Sequence, residues 1–300
     1  MTLFKIGIDF KALAEEGRDH VEFAFPTSEG EGSRPGPWPT PRALLSLRSA
    51  GSMRYLAGSH NPRRERFFAS LGLGEGSVVS TELHHTRRLR FITKARGAAA
   101  LRQRGGIEAD AGDFSGEDAG EGGPENASGR DGIVLYPYAT DTAGVSRAAA
   151  ITVADYMPIW IFDSASGAYG VLHSGWRGTG ILAHAVTGLL ARSGGAAGRA
   201  GGGAASVSVI LGPSIGSCCY RVPEARARDF EREFGADSVL RDELGPRLDL
   251  REANRALAAK LGVGALLSVE ACTVCEEGLG SYRREGAGDF TRMVALCISA

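Results

Sequence analysis

The sequence predicts a layered mixed α/β fold in which β-sheets are flanked by helices. Apolar runs of strand length and longer amphipathic segments of helical length both occur along the whole chain. The two kinds of segment do not alternate strictly, which argues against a simple repeated βαβ architecture. Because ordered segments span all 300 residues with insertions between them, we expect a single domain over 1–300.

Hydrophobic periodicity gives the elements in chain order. Near the start, Phe4, Ile6 and Ile8 alternate with other residues, as in a strand with one buried face. Strand-like residues recur within 78–92. Further strands are predicted at 148–153, 159–162, 169–172, 207–211, 269–272 and 293–298, and helices at 181–191, 223–234 and 250–261.

Two segments have the composition of solvent-exposed insertions. Residues 97–132 are rich in Gly, Ala, Glu and Asp, and residues 193–206 are nearly all Gly and Ala. Neither segment can bury enough apolar surface to offset its ordering entropy, so we expect mobile insertions there. A third loop, near 28–41, is rich in proline.

Composition excludes several functional classes. The 34 basic and 35 acidic residues give a net charge of −1, which does not favour nucleic acid as a partner. The chain lacks both the apolar core of a signal peptide and the ~18 consecutive apolar residues of a membrane span. We therefore expect a cytoplasmic protein with a small-molecule substrate and no membrane partner. The sequence does not predict an oligomeric state.

The five cysteines indicate free thiols. Their number is odd and Cys218 and Cys219 are adjacent, which is unfavourable for a disulfide framework. Residues 272–275 match C-x-x-C, but no second pair of that spacing is present to suggest a zinc ribbon. We expect buried thiols at Cys218 and Cys219 and no redox or separate metal role for the C-x-x-C pair.

The segment His173-Ser-Gly-Trp-Arg-Gly178 is the strongest candidate for a functional site. It places His173 at the end of an apolar strand and Arg177 in a glycine-rich turn before a predicted helix. Such a junction offers backbone N–H groups to an anion. The glycines would equally serve close packing of the helix against the strand. Asp155, at the end of another strand, either orients His173 or caps a turn.

Several motifs occur in the order found in one protein family. Residues 82–84, 154–158 and 173–178 correspond to Q-V-H, A-D-C-x-P and H-x-G-W-R-G, and they are followed by GPSIGSCCYRV at 212–222 and SYRREG at 281–286. This set resembles the YfiH-type family, whose members are called laccase-domain proteins, polyphenol oxidases, zinc-dependent purine nucleoside phosphorylases or peptidoglycan editing factors. The resemblance covers roughly 45–300, and it implies the layered α/β fold.

The resemblance implies a zinc cofactor held by His84, His173 and residue 156. The family has cysteine at the last position, whereas this chain has Tyr156. A phenol ionises near pH 10 and is a poorer zinc ligand than a thiolate at neutral pH. His85 is an alternative ligand, although adjacent residues of a strand point to opposite faces. Two readings therefore stay open: a zinc site, or hydrogen-bonded histidines around a pocket filled by Tyr156.

The family's activity implies roles for the remaining polar residues. Arg177 would hold phosphate, with His173, Arg177 and Asp155 as catalytic residues. Arg54, Arg283 and Arg292 would bind substrate. The implied reaction is phosphorolysis of adenosine, inosine or methylthioadenosine, with adenosine deamination as a further activity.

Two alternatives remain open, and a third is excluded. One is a hydrolase that edits peptidoglycan precursors, and the other is a degenerate member that binds a ligand without turnover. Multicopper laccase chemistry is excluded, because the chain has only six histidines and no His-x-His pair. Copper is therefore not expected as a cofactor, although some family names refer to laccases and polyphenol oxidases.

Overall fold

The computed structural model describes residues 1–27, 37–74, 76–92, 129–137, 147–193 and 204–299. Most of both expected insertions, 97–132 and 193–206, lies outside the described residues, as does most of the loop near 28–41. No helix in the described part of the chain is long and apolar enough to cross a membrane.

Fourteen strands and six α-helices make up the described elements. The strands are β1 Thr2–Ile6, β2 His20–Phe23, β3 Arg42–Ser46, β4 Val78–Ser80, β5 Leu89–Ile92, β6 Gly132–Leu135, β7 Ala148–Val153, β8 Met157–Asp163, β9 Tyr169–Ser174, β10 Val207–Leu211, β11 Val239–Asp242, β12 Gly245–Leu248, β13 Ala265–Val269 and β14 Met293–Ile298. The helices are α1 Phe10–Glu15, α2 Pro62–Ser70, α3 Ile181–Ser193, α4 Glu224–Phe234, α5 Leu250–Leu261 and α6 Tyr282–Glu285.

The strands form two large sheets and one hairpin. The first sheet has the order β1-β13-β10-β8-β9-β6-β5, and the second has the order β2-β3-β14-β7-β4. Within the first sheet, β1, β13 and β10 run parallel, and β10, β8, β9 and β6 are successively antiparallel. Strands β11 and β12 pair only with each other. The two mixed sheets with helices around them confirm the predicted fold class.

The two large sheets pack face to face, with helices outside. Strand β8 shows why: Trp160 and Phe162 point toward the second sheet, whereas Ile159 and Ile161 point toward α3 and α5. The Trp160 indole Nε1 donates across the sheet interface to the carbonyl of Leu296, at 2.7 Å. Helix α2 covers the outer face of the second sheet through Phe67. The result is an α-β-β-α stack.

Local sequence signals explain the best-predicted helix. Helix α5 occupies 250–261, where the spacing of apolar residues predicted it. Asp249 caps its first turn by accepting from the Glu252 N–H, and Gly262 ends it in the left-handed region at φ 69°. Strand β13 covers 265–269 rather than the predicted 269–272, where only Cys272 forms an isolated bridge before the turn at 273–275.

Candidate functional site

A pocket of about 600 Å³ lies where the turn between β7 and β8 meets the end of β9. The loop after β4 forms one side, and the segment around α6 forms the other. His84, Asp155, Tyr156, His173, Arg54, Arg283 and Arg292 all line it. Of the predicted site residues, Arg177 is absent from the pocket lining.

Three rings meet at the base of the pocket. The ring centroids of His85, Tyr156 and His173 lie 5.4 Å from one another in each of the three pairs. Gly175 makes room for this arrangement, because a Cβ there would lie 2.3 Å from the Tyr156 ring. Gly175 of the His173–Gly178 turn thus has a packing role within the pocket itself.

Asp131 lies between the 84–86 loop and His173 and contacts both. Its buried carboxylate accepts from the N–H groups of His84, His85 and Thr86, at 3.2, 2.9 and 2.6 Å, and from the Thr86 hydroxyl at 2.7 Å. Its Oδ1 also lies 3.5 Å from the Nδ1 of His173. Burial opposes ionisation, but these hydrogen bonds and the His173 ring keep the pKa of Asp131 below its usual value. Sequence reasoning missed Asp131, which follows the glycine-rich segment without a local motif.

The structure brings His85, rather than His84, beside His173. Residues 81–88 form no strand, so the expected alternation of side chains does not apply. His85 has a φ of 56°, which turns its ring toward His173 and Tyr156. His84 instead packs against Gly129, where a Cβ would lie 1.8 Å from its ring. Burial and the neighbouring His173 lower the pKa of His85, which favours the neutral imidazole.

Asp155 holds the segment around α6 rather than orienting His173, which was one of the two roles considered from the sequence. Its Oδ1 accepts from the hydroxyls of Thr273 and Ser281, at 2.7 and 2.6 Å, and its Oδ2 accepts from the Arg283 N–H at 2.7 Å. The φ of Asp155 is 76°, a strained conformation that costs about 1 kcal/mol or more and that occurs preferentially at functional sites. Asp131 occupies the place beside His173.

Arginines from distant segments form the cationic side of the pocket, namely Arg54, Arg226, Arg283 and Arg292. Burial, followed by the charge of Arg54, lowers the pKa of Arg292, and the carboxylate of Asp289 opposes this shift. Carboxylates of the described residues pair with other arginines, such as Arg87, Arg241 and Arg255. The four pocket arginines form no salt bridge with a described residue and can contact a bound anion, although Glu82 lines the same pocket.

The family motif's own arginine lies elsewhere. The Arg177 side chain is exposed and lies over the Trp176 ring, 4.9 Å from its centroid. Arg226 of α4, which the sequence did not indicate, lies over the same ring at 4.5 Å and does line the pocket. Of the two arginines over Trp176, only Arg226 lines the pocket.

The donor atoms at the pocket base fit a zinc ion. One ligand atom each of His85, Asp131 and His173 lie within 4.8 Å of one another. The Nδ1 of His173 is buried, has no hydrogen-bond partner among the described residues and lies 3.5 Å from the Asp131 carboxylate. Two imidazoles are donors that zinc accepts, and the Asp131 carboxylate would orient His173 from behind. Tyr156, at the family's cysteine position, contacts both imidazole rings.

Comparisons with known proteins agree with this architecture. Residues 60–299 match the family described as multi-copper polyphenol oxidoreductase laccase. The purine nucleoside phosphorylase YlmD of Geobacillus stearothermophilus is 32% identical over 261 residues, which cover 82% of this chain and 90% of the relative. Adenosine deaminase RL5, from an unknown prokaryote, is 35% identical over 144 residues, which cover 45% of this chain and 52% of the relative.

A solved structure shares the fold. The hypothetical protein YfiH of Bacillus licheniformis superimposes with a TM-score of 0.65 at 24% identity, over 89% of this chain and 97% of that chain. The match at residues 60–299 and the similarity to YlmD over most of both chains lead to one conclusion. This chain belongs to the laccase-domain, or YfiH, family.

Proposed function

We propose that this protein is a purine nucleoside phosphorylase that acts on adenosine, inosine or methylthioadenosine. The observation that carries the proposal is the group of pocket arginines that form no salt bridge with a described residue and that share one cavity with two imidazoles. The similarity to the phosphorylase YlmD supports it. The coarser conclusion, that the chain is an enzyme of this family, follows from the family match.

The reaction needs an anion site and a site for an apolar base. A phosphate oxygen bonds to C1′ of the ribose, and the C1′–N9 bond breaks as the purine leaves with the electron pair and takes up a proton. Arg54 and Arg292 would hold the phosphate, since planar guanidinium groups bind its oxygens in pairs. Tyr282 and Phe290, whose rings meet edge to face at 5.0 Å, would pack against the purine.

A zinc ion bound by His85 and His173 would act as a Lewis acid toward a substrate oxygen or activate a water. Asp131 would keep His173 in one orientation, and Asp155 would hold the Arg283 segment over the pocket. Burial and the nearby Tyr156 raise the pKa of Tyr220, so its hydroxyl stays protonated in the pocket wall. Arg283, 5.8 Å from the Tyr220 ring centroid, would supply a further contact to phosphate.

The test is release of purine base from inosine by zinc-loaded protein, with and without phosphate. We expect phosphate-dependent release in wild type, and a fall in kcat/KM of about 10²-fold or more in His173→Ala. His60→Ala is the control, because His60 is exposed and pairs with Glu65 away from the pocket. No release by folded, zinc-loaded wild type would refute the proposal. Release of serine from a muramoyl-serine nucleotide would identify an editing hydrolase instead.

Deamination is a second candidate, which the similarity to adenosine deaminase RL5 favours. It requires water rather than phosphate as nucleophile. The product is inosine with release of ammonia, so a phosphate-free assay with adenosine separates the two activities. If the protein is instead a degenerate member that binds a ligand without turnover, neither product should form. A Tyr156→Cys variant that gains both zinc and activity would establish this alternative.

A further inference from the structure

A second cluster of metal-binding side chains lies on the loops after β10 and β13. Cys218 and Cys219 follow β10, and Cys272 and Cys275 follow β13. The two strands are parallel neighbours, so their loops leave the same edge of the sheet. A bridge between Ser214 and Cys272 continues the pairing into the loops. The prediction of buried thiols at Cys218 and Cys219 is wrong, because Cys218 is exposed and Cys219 is half-buried. All four sulfurs lie within 4.8 Å of one another.

The distances between the sulfurs fit one tetrahedral metal ion. The Sγ of Cys275 lies 3.8 Å from that of Cys218 and 3.6 Å from that of Cys219. A zinc ion with Zn–S bonds of about 2.3 Å in tetrahedral geometry separates its sulfurs by about 3.8 Å. A disulfide requires an S–S distance of only about 2.05 Å. The spacing is therefore that of a shared ligand shell.

Backbone donors around the cluster favour a thiolate. The Gly216 N–H donates to the Sγ of Cys272 at 3.2 Å. Burial opposes ionisation of this thiol, but N–H groups of Gly216, Cys275 and Val274 lower its pKa overall. Gly216 also permits close approach, because a Cβ there would lie 3.2 Å from both the Cys218 Sγ and the Cys272 Cβ.

The same crowding disfavours ionisation of the other sulfurs in the absence of a cation. Burial and the neighbouring sulfurs raise the pKa of Cys218 to about 11 and also raise that of Cys219. A divalent cation removes this penalty, since a thiol that coordinates zinc is deprotonated. Soft thiolate donors favour zinc over the hard cations magnesium, calcium and manganese.

We propose that Cys218, Cys219, Cys272 and Cys275 bind a structural Zn²⁺ ion, separate from the pocket. Four thiolates fill a tetrahedral shell and leave no open position, which is typical of a structural site. The ion would join the two loops that support the pocket wall. Tyr220 follows Cys219 and lines the pocket, and Thr273, between the other two ligands, donates to Asp155. This proposal does not depend on the function proposed above.

Metal analysis of the full chain, purified without oxygen or added chelator, tests the proposal. A His85→Ala/His173→Ala variant disables the pocket site, and a Cys272→Ser/Cys275→Ser variant disables the cysteine cluster. We expect the histidine variant to retain one zinc per chain and the cysteine variant to lose that zinc. Cys297→Ala is the control, because Cys297 is buried in β14 outside the cluster and its loss should leave metal content unchanged.

A spectroscopic measurement covers the case in which the cysteine variant fails to fold. Cobalt exchanged into the histidine variant should give sulfur-to-cobalt charge-transfer bands and the intense visible bands of tetrahedral thiolate coordination. Weak visible bands without charge transfer would overturn the proposal. Thiol titration of the unfolded protein in chelator adds a second check, since all five cysteines should react. Recovery of one thiol would mean two disulfides, and would overturn it too.

Discussion

The pocket and the cysteine cluster gather metal donors in opposite ways. The pocket offers His85 and His173 with a buried carboxylate behind them, and it opens into a cavity lined by arginines. The cluster offers four sulfurs from two loops, none of which lines that cavity. Zinc chemistry distinguishes the two cases by the open position that a substrate needs. A metal in the open pocket would therefore take part in the reaction, whereas a metal in the closed cysteine cluster would stabilise the two loops.

Among the variants proposed here, removal of the Asp131 charge should have the largest effect on the pocket. In Asp131→Asn, an NH₂ group replaces one of the two carboxylate oxygens, and the N–H groups that donated to that oxygen lose their acceptor. The free energy of unfolding should therefore fall by about 1–3 kcal/mol. Zinc affinity at the pocket should fall about 10- to 100-fold. Urea unfolding and zinc competition with a chelator measure the two effects.

Asp163→Asn is the matched control for this variant. Asp163 is equally buried and accepts from Ser166 and Ser206, but it lies at the far end of β8 from the pocket. It should lose stability with no change in pocket zinc affinity. Equal zinc affinity in Asp131→Asn and wild type would contradict the positioning role of Asp131.

Replacing Tyr156 by cysteine should make the pocket donor set resemble the cluster. A thiolate in place of a phenol should tighten zinc binding about tenfold or more, equivalent to about 1.4 kcal/mol. Tyr156→Ser removes the same ring contacts with His85 and His173 without adding sulfur, so it separates ligation from packing. Equal zinc affinities in the serine and cysteine variants would show that residue 156 is not a ligand.

The anion side of the pocket should respond to Arg292→Ala. Loss of one guanidinium near Arg54 should raise the KM for phosphate about tenfold, with a smaller effect on kcat. Arg177→Ala is the comparison variant. The Arg177 side chain is exposed over Trp176, so its loss should raise the KM for phosphate less than the loss of Arg292 does. A larger rise in Arg177→Ala than in Arg292→Ala would reverse the assignment.

The smallest expected effect concerns His85 and pH. Because its pKa is lowered in the folded state, the unfolded chain binds more protons once the pH falls below about 6.5. Unfolding free energy of the metal-free protein should therefore decrease as the pH drops below that value, and His85→Gln should make this decrease shallower. NMR titration of the ring should give a pKa below 6.5, and a value above it would contradict the lowered pKa.

Sequence reasoning succeeded where the determinants are local. Helix α5 and strands β7, β10 and β14 occupy the predicted ranges, because their apolar spacing and caps lie within each element. The choice between His84 and His85 depended on a backbone angle at His85, which no periodicity reveals. Asp131 and Arg226 reach the pocket through sheet pairing and helix packing over long sequence separations. The cysteine pairs meet only because β10 and β13 are neighbours.

The pairing of β5 with β6 has a consequence for how this chain tolerates change. The parallel register sets Leu89 beside Gly132, and the Asp131 N–H donates to the Arg88 carbonyl at 2.9 Å. The connection between the two strands therefore begins at Ile92, at one end of the pair, and returns at the other end to Asp131, beside His85. A parallel pair demands only a minimum length of connection, not a fixed one. Additions and deletions between Ile92 and Gly129 alter neither strand, so the connection can change in length while Asp131 keeps its place beside His85.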